Sequence, residues 1–303
     1  MFWISRLKQR VPTAVVLGLL AASFAGSVPS AAASPTSSPV AQTSSVAAAC
    51  PAPTPGTAQC QALVRTDVTA ASAAAVSPQS GPGGGYGPAD LRSAYSLPTG
   101  SEGTGMTIAI VDAYDLPSAE ADLATYRTWY GLPACTTANG CFHKVNENGG
   151  STPPSTTAVG TGWDYEISLD LDMVSATCPN CHIILVEANS NLYNDLGTGV
   201  NTAVTMGAMA VSNSYAGPEG SAFNETYLDS TYFNHPGHAI VASTGDCGYD
   251  CVGQFGGLTQ NSVGYPAASP DVVAVGGTSL NGSVGSGWTE TAWGNGYGGA
   301  GSG

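Results

Sequence analysis

Positive charge is nearly absent from this chain: 303 residues hold seven Lys and Arg against 21 Asp and Glu, and only 9% are charged at all. Three of the seven, Arg6, Lys8 and Arg10, lie at the extreme N-terminus, so that only Arg65, Arg92, Arg127 and Lys144 serve the rest. Such a surface repels polyanions, which excludes nucleic acid and anionic membranes as partners. It suits an acidic medium, where carboxylates protonate and self-repulsion relaxes. Long apolar runs are equally scarce. The one present, from Val11 to about Ala25, is short of the roughly 20 residues that a membrane-spanning helix needs.

That run has a basic segment before it and Ala31-Ala32-Ala33 after it. Together these read as a secretory signal peptide, residues 1–33, cut after Ala33. The expected destination is secreted and extracellular, with no membrane attachment after cleavage. Residues 34–86 are dominated by Ala, Ser, Pro, Thr and Gly and end in Gly-Pro-Gly-Gly-Gly, the composition of a low-complexity leader or linker. Residues 87–303 carry the pattern of one folded domain, and 43% hydrophobic content is enough for a sizeable core.

The eight cysteines fall in close pairs: Cys50 with Cys60, Cys135 with Cys141, Cys178 with Cys181, Cys247 with Cys251. In an exported chain such local pairs read as disulfides stapling loops. Cys178 and Cys181 with His235 and His238 form a conceivable zinc set, but disulfides are the stronger expectation and no metal is assigned. A thioredoxin-like redox motif is disfavoured, because Cys178-Pro-Asn-Cys181 follows a helical pattern and precedes a strand.

From Gly87 onward, apolar β-rich runs alternate with helical patterns. Strands are expected at Met106 to Asp112, His182 to Ala188, Ala208 to Ser212, Ala239 to Ser243 and Val272 to Gly276. Helices are expected at Pro88 to Tyr95, Ala119 to Tyr130, Leu192 to Met206 and Ala222 to Phe233. Short apolar strands separated by helices predict an α/β fold with a parallel sheet covered on both faces, its site at the carboxyl ends of the strands.

Two acids, Glu166 and Asp170, stand four residues apart in Trp163-Asp-Tyr-Glu-Ile-Ser-Leu-Asp-Leu-Asp172. The alternation of apolar and polar residues there is strand-like. A strand would hold the two acids about 13 Å apart at ~3.3 Å per residue. On a helix their Cβ atoms come within about 6 Å and the carboxyl groups can meet. Only the helix makes them a functional pair.

Five segments in order carry a resemblance. Thr107-Ile-Ala-Ile-Val-Asp112, Glu166-Ile-Ser-Leu-Asp170, Val211-Ser-Asn-Ser-Tyr-Ala-Gly217, Gly245-Asp246-Cys-Gly248, and Tyr265-Pro-Ala-Ala-Ser-Pro270 with Val275-Gly-Gly-Thr278 resemble the sedolisins, serine-carboxyl peptidases of the subtilisin-like superfamily. The resemblance covers the chain from about Tyr86 onward. It implies a subtilisin-like sheet and a secreted serine-type endopeptidase, acting on peptides or proteins at acidic pH, and a monomer. By it, Glu166 is the general base for a serine hydroxyl, Asp170 holds Glu166, and Asp246, protonated, faces the oxyanion. Ser212, Ser214, Ala216 and Gly217 line the substrate.

The pattern breaks at the nucleophile. The family's serine stands in Gly-Thr-Ser-x-x-x-Pro, whereas Gly277-Thr278-Ser279 continues Leu-Asn-Gly and aligns with an earlier family segment, so Ser279 is not assigned. The glycine-rich stretch Tyr297 to Gly303 reads as a cut through a loop. The C-terminal part of the domain, with the serine and the family's calcium ligands, is therefore expected beyond residue 303, and the chain alone is expected to be inert. No cofactor is assigned within it. The residues after Ala33 are also too few for the family's folded prodomain. A histidine-based subtilisin is the nearest competitor, since Asp112 ends a strand as that family's aspartate does. His143, His182, His235 and His238 lie in no His-Gly-Thr context, which leaves Asp112 a supporting role. The remaining alternatives are a non-catalytic secreted peptide-binding module with the same fold and a disulfide-stapled cell-surface protein.

Overall fold

The computed structural model describes residues 46–66, 85–98, 100–219, 224–248, 263–295 and 298–301. Within the stretch of linker-like composition it builds three short strands, β1 (Val46–Ala48), β2 (Gln59–Cys60) and β3 (Leu63–Arg65). β1 and β3 pair antiparallel, and a Cys50–Cys60 disulfide closes the loop between β1 and β2. The signal-peptide residues lie outside the described residues, and no described helix is long and apolar enough to cross a membrane.

The domain is built on β4 (Thr107–Ala113), β5 (Phe142–Asn146), β6 (His182–Ala188), β7 (Ala210–Asn213), β9 (Ala239–Ser243) and β11 (Val273–Val275). These form a six-stranded sheet in the order β11-β9-β7-β4-β6-β5, with every pairing parallel. β4 and β6 run in register from Thr107 opposite His182 to Ala113 opposite Ala188. Residues 109–113 of β4 are all buried. Since successive side chains point to opposite faces, both faces of the sheet are covered there. β5 escapes the sequence reading because Phe142-His-Lys-Val-Asn is too polar and too short to stand out.

The described residues form the helices α1 (Pro88–Ala94), α2 (Ala119–Trp129), α3 (Trp163–Thr177), α4 (Tyr193–Thr205) and α5 (Glu225–Leu228), the last running into a π-turn at Asp229–Phe233. Both α3 and α4 pack on β4. The helix expected from Ala222 thus starts at Glu225, where Asn224 caps it by accepting a hydrogen bond from the Tyr227 N–H.

After β7 the chain turns at Ser214 into β8 (Tyr215–Pro218), which leaves the large sheet. β8 lies between β10 (Gly264–Tyr265) and β2 in a separate three-stranded antiparallel sheet. The stretch Ser212 to Gly217 is therefore two strands in two sheets. Beyond β11, a hairpin of β12 (Thr278–Ser283) and β13 (Gly287–Ala292) docks on α1: Trp288 Nε1 donates to Ser93 Oγ at 3.0 Å and Tyr95 OH to Glu290 Oε1 at 2.7 Å.

Disulfides join Cys135 to Cys141 and Cys178 to Cys181. The second removes those thiolates as zinc ligands. His235 Nε2 instead lies 2.8 Å from Asn201 Oδ1, and His238 Nδ1 2.7 Å from the Ala208 carbonyl. Cys247 is also disulfide-bonded, while Cys251 lies outside the described residues.

Candidate active site

Three neighbouring strands of the parallel sheet, β4, β7 and β9, deliver acidic or polar residues at their carboxyl ends. β4 brings Asp112, the turn after β7 brings Ser214, and the loop after β9 brings Asp246. Helix α3 supplies the rest. Its buried positions include Trp163, Glu166, Ile167, Asp170 and Leu171, one stripe at the helical spacing. The strand-like alternation is overruled because this stripe packs on β4, and the helix brings Glu166 and Asp170 to the same face one turn apart.

The carboxyl groups are out of water. Glu166 is 2% exposed, Asp170 8% and Asp112 0%. Glu166 Oε2, Asp170 Oδ2 and both Asp112 oxygens are buried without hydrogen-bond partners. Burial first, and then the Asp170 carboxyl, push Glu166 well above the usual carboxylate range, while hydrogen bonds from the backbone of Gln61 and Ala62 act the other way. Burial lifts Asp170 to about 7 against a hydrogen bond from Ser214, whose Oγ donates to Asp170 Oδ1 at 2.9 Å. Asp246 is raised to about 6 by burial, and its charge acts on Glu166. Asp112 is raised by burial and then by Asp170 and Glu166. Negative charges this close in a low-dielectric setting cannot all be ionised at once, so the cluster shares protons.

Of the residues expected on the substrate strand, Ser212 lies in β7, in register with Ile110 and Val241 of the large sheet. Ser214 holds Asp170. Ala216 and Gly217 lie in β8, Ala216 opposite Gln59 and Gly217 opposite Tyr265. Ser279 sits apart, in β12 opposite Thr291. No group of three or more His, Cys, Asp or Glu suited to a metal ion occurs among the described residues.

Sequence reasoning gives Asp112 only a supporting role and misses Gln61, Ala62 and Gly162. Asp112 is a fourth member of the carboxyl cluster, and its only sequence signal is an acid ending an otherwise apolar strand. Gln61 and Ala62 reach Glu166 through their backbone, which no side-chain pattern reveals. Gly162 precedes α3 at φ 95°, and a Cβ there would lie 2.3 Å from the Ala49 carbonyl oxygen. Only glycine fits both its conformation and that approach.

A parallel α/β sheet with carboxyl groups gathered at the ends of its central strands is the architecture of a subtilisin-like fold. No protein-family model matches the chain. Kumamolisin of Bacillus sp. (strain MN-32) is 33% identical over 224 residues, which cover 70% of this chain and 37% of kumamolisin. Subtilisin DY of Bacillus licheniformis is 30% identical over 98 residues, 32% of each chain. Among solved structures, Pseudomonas sedolisin, a serine-carboxyl proteinase complexed with two molecules of pseudo-iodotyrostatin, superposes with a TM-score of 0.54 at 22% identity, covering 71% of this chain and 61% of that one. Over 70% of its length the chain is similar to kumamolisin, and its fold is the subtilisin-like fold of sedolisin. It spans little more than a third of kumamolisin's length, 37%.

Proposed function

We propose that the whole protein is an exported serine-carboxyl endopeptidase working in acid, to which this chain contributes the base, its orienter and the oxyanion donor. The observation that carries the reading is the cluster of buried Glu166, Asp170 and Asp112 with half-buried Asp246, at the ends of β4 and β9 and on the first turns of α3. Ordinary surface acids are neither buried nor grouped in this way.

In the proposed reaction, the Glu166 carboxylate takes the proton of a serine hydroxyl as its oxygen attacks the peptide carbonyl carbon. Burial and the neighbouring charge raise the proton affinity of Glu166, which makes it a better base than a solvated carboxylate. Asp246, protonated below about 6, donates a hydrogen bond to the oxyanion. Glu166 then passes its proton to the leaving amine, and a water repeats the sequence on the acyl-enzyme. The serine and a calcium loop belong, by the family resemblance, to sequence following residue 303, and without them the chain is expected to be inert. Export is supported by the N-terminal pattern and by disulfides in the fold. A monomer acting on peptide or protein substrates fits this reading.

The test is peptide hydrolysis by the extended protein across the acidic range, in which Asp246 is protonated below about 6. Glu166→Gln and Asp246→Ala should each lower kcat by a factor of at least about 100, and full activity in either variant sinks the assignment. A second reading, a non-catalytic peptide-binding module, is favoured by one observation: β8 already holds an extended segment along its edge. That module would bind peptides with no hydrolysis in the extended protein at any pH.

A further inference from the structure

The end of the sheet away from the carboxyl cluster carries a second concave site. β4 starts at Thr107 and β6 at His182, so the loop before β4 and the turn before β6 both lie at the amino ends of these parallel strands. The run from Thr107 to Asp112, at ~3.3 Å per residue, places that end roughly 17 Å from the carboxyl cluster. Two clefts meet there. The larger, about 410 Å³, is walled by Arg92 of α1, by Tyr130, Leu132 and Pro133 after α2, and by Pro179 and Asn180 before β6. Its volume falls in the range of ~300–1,000 Å³ usual for small-molecule sites. The smaller, about 210 Å³, runs along Glu102 and Gly103 of the loop before β4. Arg92, Gly100, Pro179 and Asn180 line both clefts.

The loop that brings Glu102 is held in place. Asn180 Nδ2 donates to the carbonyls of Gly100 at 2.9 Å and of Glu102 at 3.3 Å. Gly103, at φ 84°, lies so close to the Cys178–Cys181 disulfide that a Cβ there would stand 2.4 Å from Cys178 Sγ. A Cβ on Gly100 would stand 2.7 Å from Glu102 Oε2, which puts the Glu102 carboxyl beside a residue shared by the two clefts.

Opposite charges thus line this site without meeting. Among the described residues the Arg92 guanidinium has no side-chain hydrogen bond and no ion pair, with Glu102 or with any other acid. Arg127 and Lys144, by contrast, are tied to carbonyls, a hydroxyl and carboxylates. An unpaired guanidinium presents a planar fork that matches a carboxylate. A plain anion is repelled by a chain of net charge −14, and a plain cation gains nothing from Arg92. A zwitterion meets neither obstacle.

We propose that this cleft binds a free α-amino acid with a large apolar side chain: Arg92 takes the carboxylate, Glu102 takes the ammonium, and Tyr130, Leu132 and Pro133 hold the side chain. The site lies apart from the carboxyl cluster, and the proposal goes beyond the peptidase reading without resting on it.

The experiment titrates L-phenylalanine, N-acetyl-L-phenylalanine and L-phenylalaninamide into the isotope-labelled chain near neutral pH, where a solvated carboxylate is ionised and an amine is protonated. Binding is followed by amide chemical shifts. Phenylalanine should move the amides of Gly100, Glu102 and Asn180. The other two probes each lack one charge and should bind at least about tenfold more weakly, the worth of one charge-assisted hydrogen bond. Arg92→Gln should weaken phenylalanine by at least about tenfold, and Glu102→Gln should do the same without weakening N-acetylphenylalanine. Equal affinity for the three probes overturns the proposal, and so does phenylalanine binding that survives Arg92→Gln. The mapping on the wild-type chain decides the matter even where a variant fails to fold: no movement of these three amides overturns the proposal. Binding to the chain alone is measured, so failure of the peptidase reading would show separately, as absent hydrolysis in the extended protein.

Discussion

Ser214, the residue at which the chain leaves the large sheet, donates a 2.9 Å hydrogen bond to Asp170, on the helix that carries Glu166. The strand that would hold substrate and the acid that would orient the base are thereby joined through one hydroxyl. That hydroxyl stabilises the ionised form of Asp170 and opposes the effect of burial. Removing it in Ser214→Ala should raise the Asp170 pKa above about 7 and lower kcat of the extended protein roughly tenfold, the worth of about 1.4 kcal/mol. A pH–rate profile shifted toward higher pH, restored by Ser214→Thr, is the signature. An unshifted profile would assign Ser214 to packing alone.

The carboxyl cluster sets the pH dependence of stability. The folded chain holds these protons more tightly than the unfolded one, so the stability they bring is full below the unfolded value, 3.8 for Asp170. It is lost as pH rises through the folded values, about 6 for Asp246 and about 7 for Asp170. Each fully titrating group contributes a slope of up to about 1.4 kcal/mol per pH unit within its window. The melting temperature should therefore rise on acidification from pH 7 to pH 4. A maximum at neutrality, measured by differential scanning fluorimetry, would show that the cluster does not hold these protons.

Glu166→Gln and Asp112→Asn replace buried acids by neutral isosteres, which resemble the protonated forms that burial favours. Each should raise the melting temperature at pH 7 and leave it nearly unchanged at pH 4. Glu166→Gln should at the same time abolish hydrolysis in the extended protein. Stability and activity moving in opposite directions separates a functional acid from a structural one, for which both would fall.

Gly162→Ala forces a side chain into the left-handed region and against the Ala49 backbone. A cost of about 2 to 4 kcal/mol is expected from the conformation and the clash together, read from chemical denaturation. Gly160→Ala is the control, since its φ of 80° imposes the same conformational cost but a Cβ there meets nothing within 4 Å. Equal losses in both would place the whole effect in the backbone conformation.

How much of this was readable beforehand follows from what each element is made of. β4, β6 and β9 are legible as short apolar β-branched runs, because a parallel strand is buried on both faces and shows it in every residue. Helix α3 is legible only through its chemistry: alternation argues for a strand, and the need for Glu166 and Asp170 to meet argues for a helix. The carboxyl cluster is half legible. Glu166, Asp170 and Asp246 stand in motifs, whereas Asp112 shares the site only because β4 lies beside β7. The placement of residues 57–62 is not legible at all, since it consists of backbone hydrogen bonds made across some 130 to 155 residues of sequence to Asn191 and Ser214. Composition sees only Thr, Ala, Gln and one Cys there. What could have hinted at it is a disulfide pair closing a loop just ahead of the domain.

The scarcity of basic residues has a consequence in the laboratory and in a protease-rich medium. Arg127 is 1% exposed and donates to the carbonyls of Pro133 and Pro179 and to the hydroxyl of Ser175. Lys144 is tied to Asp115, to Glu187 and to the Leu116 carbonyl. Trypsin acting on the folded chain is thus left with Arg65 and Arg92 beyond the first ten residues, and Arg65 is the exposed last residue of β3. A single cut there severs the Cys50–Cys60 loop from the domain it sits on while leaving the domain's interior uncut.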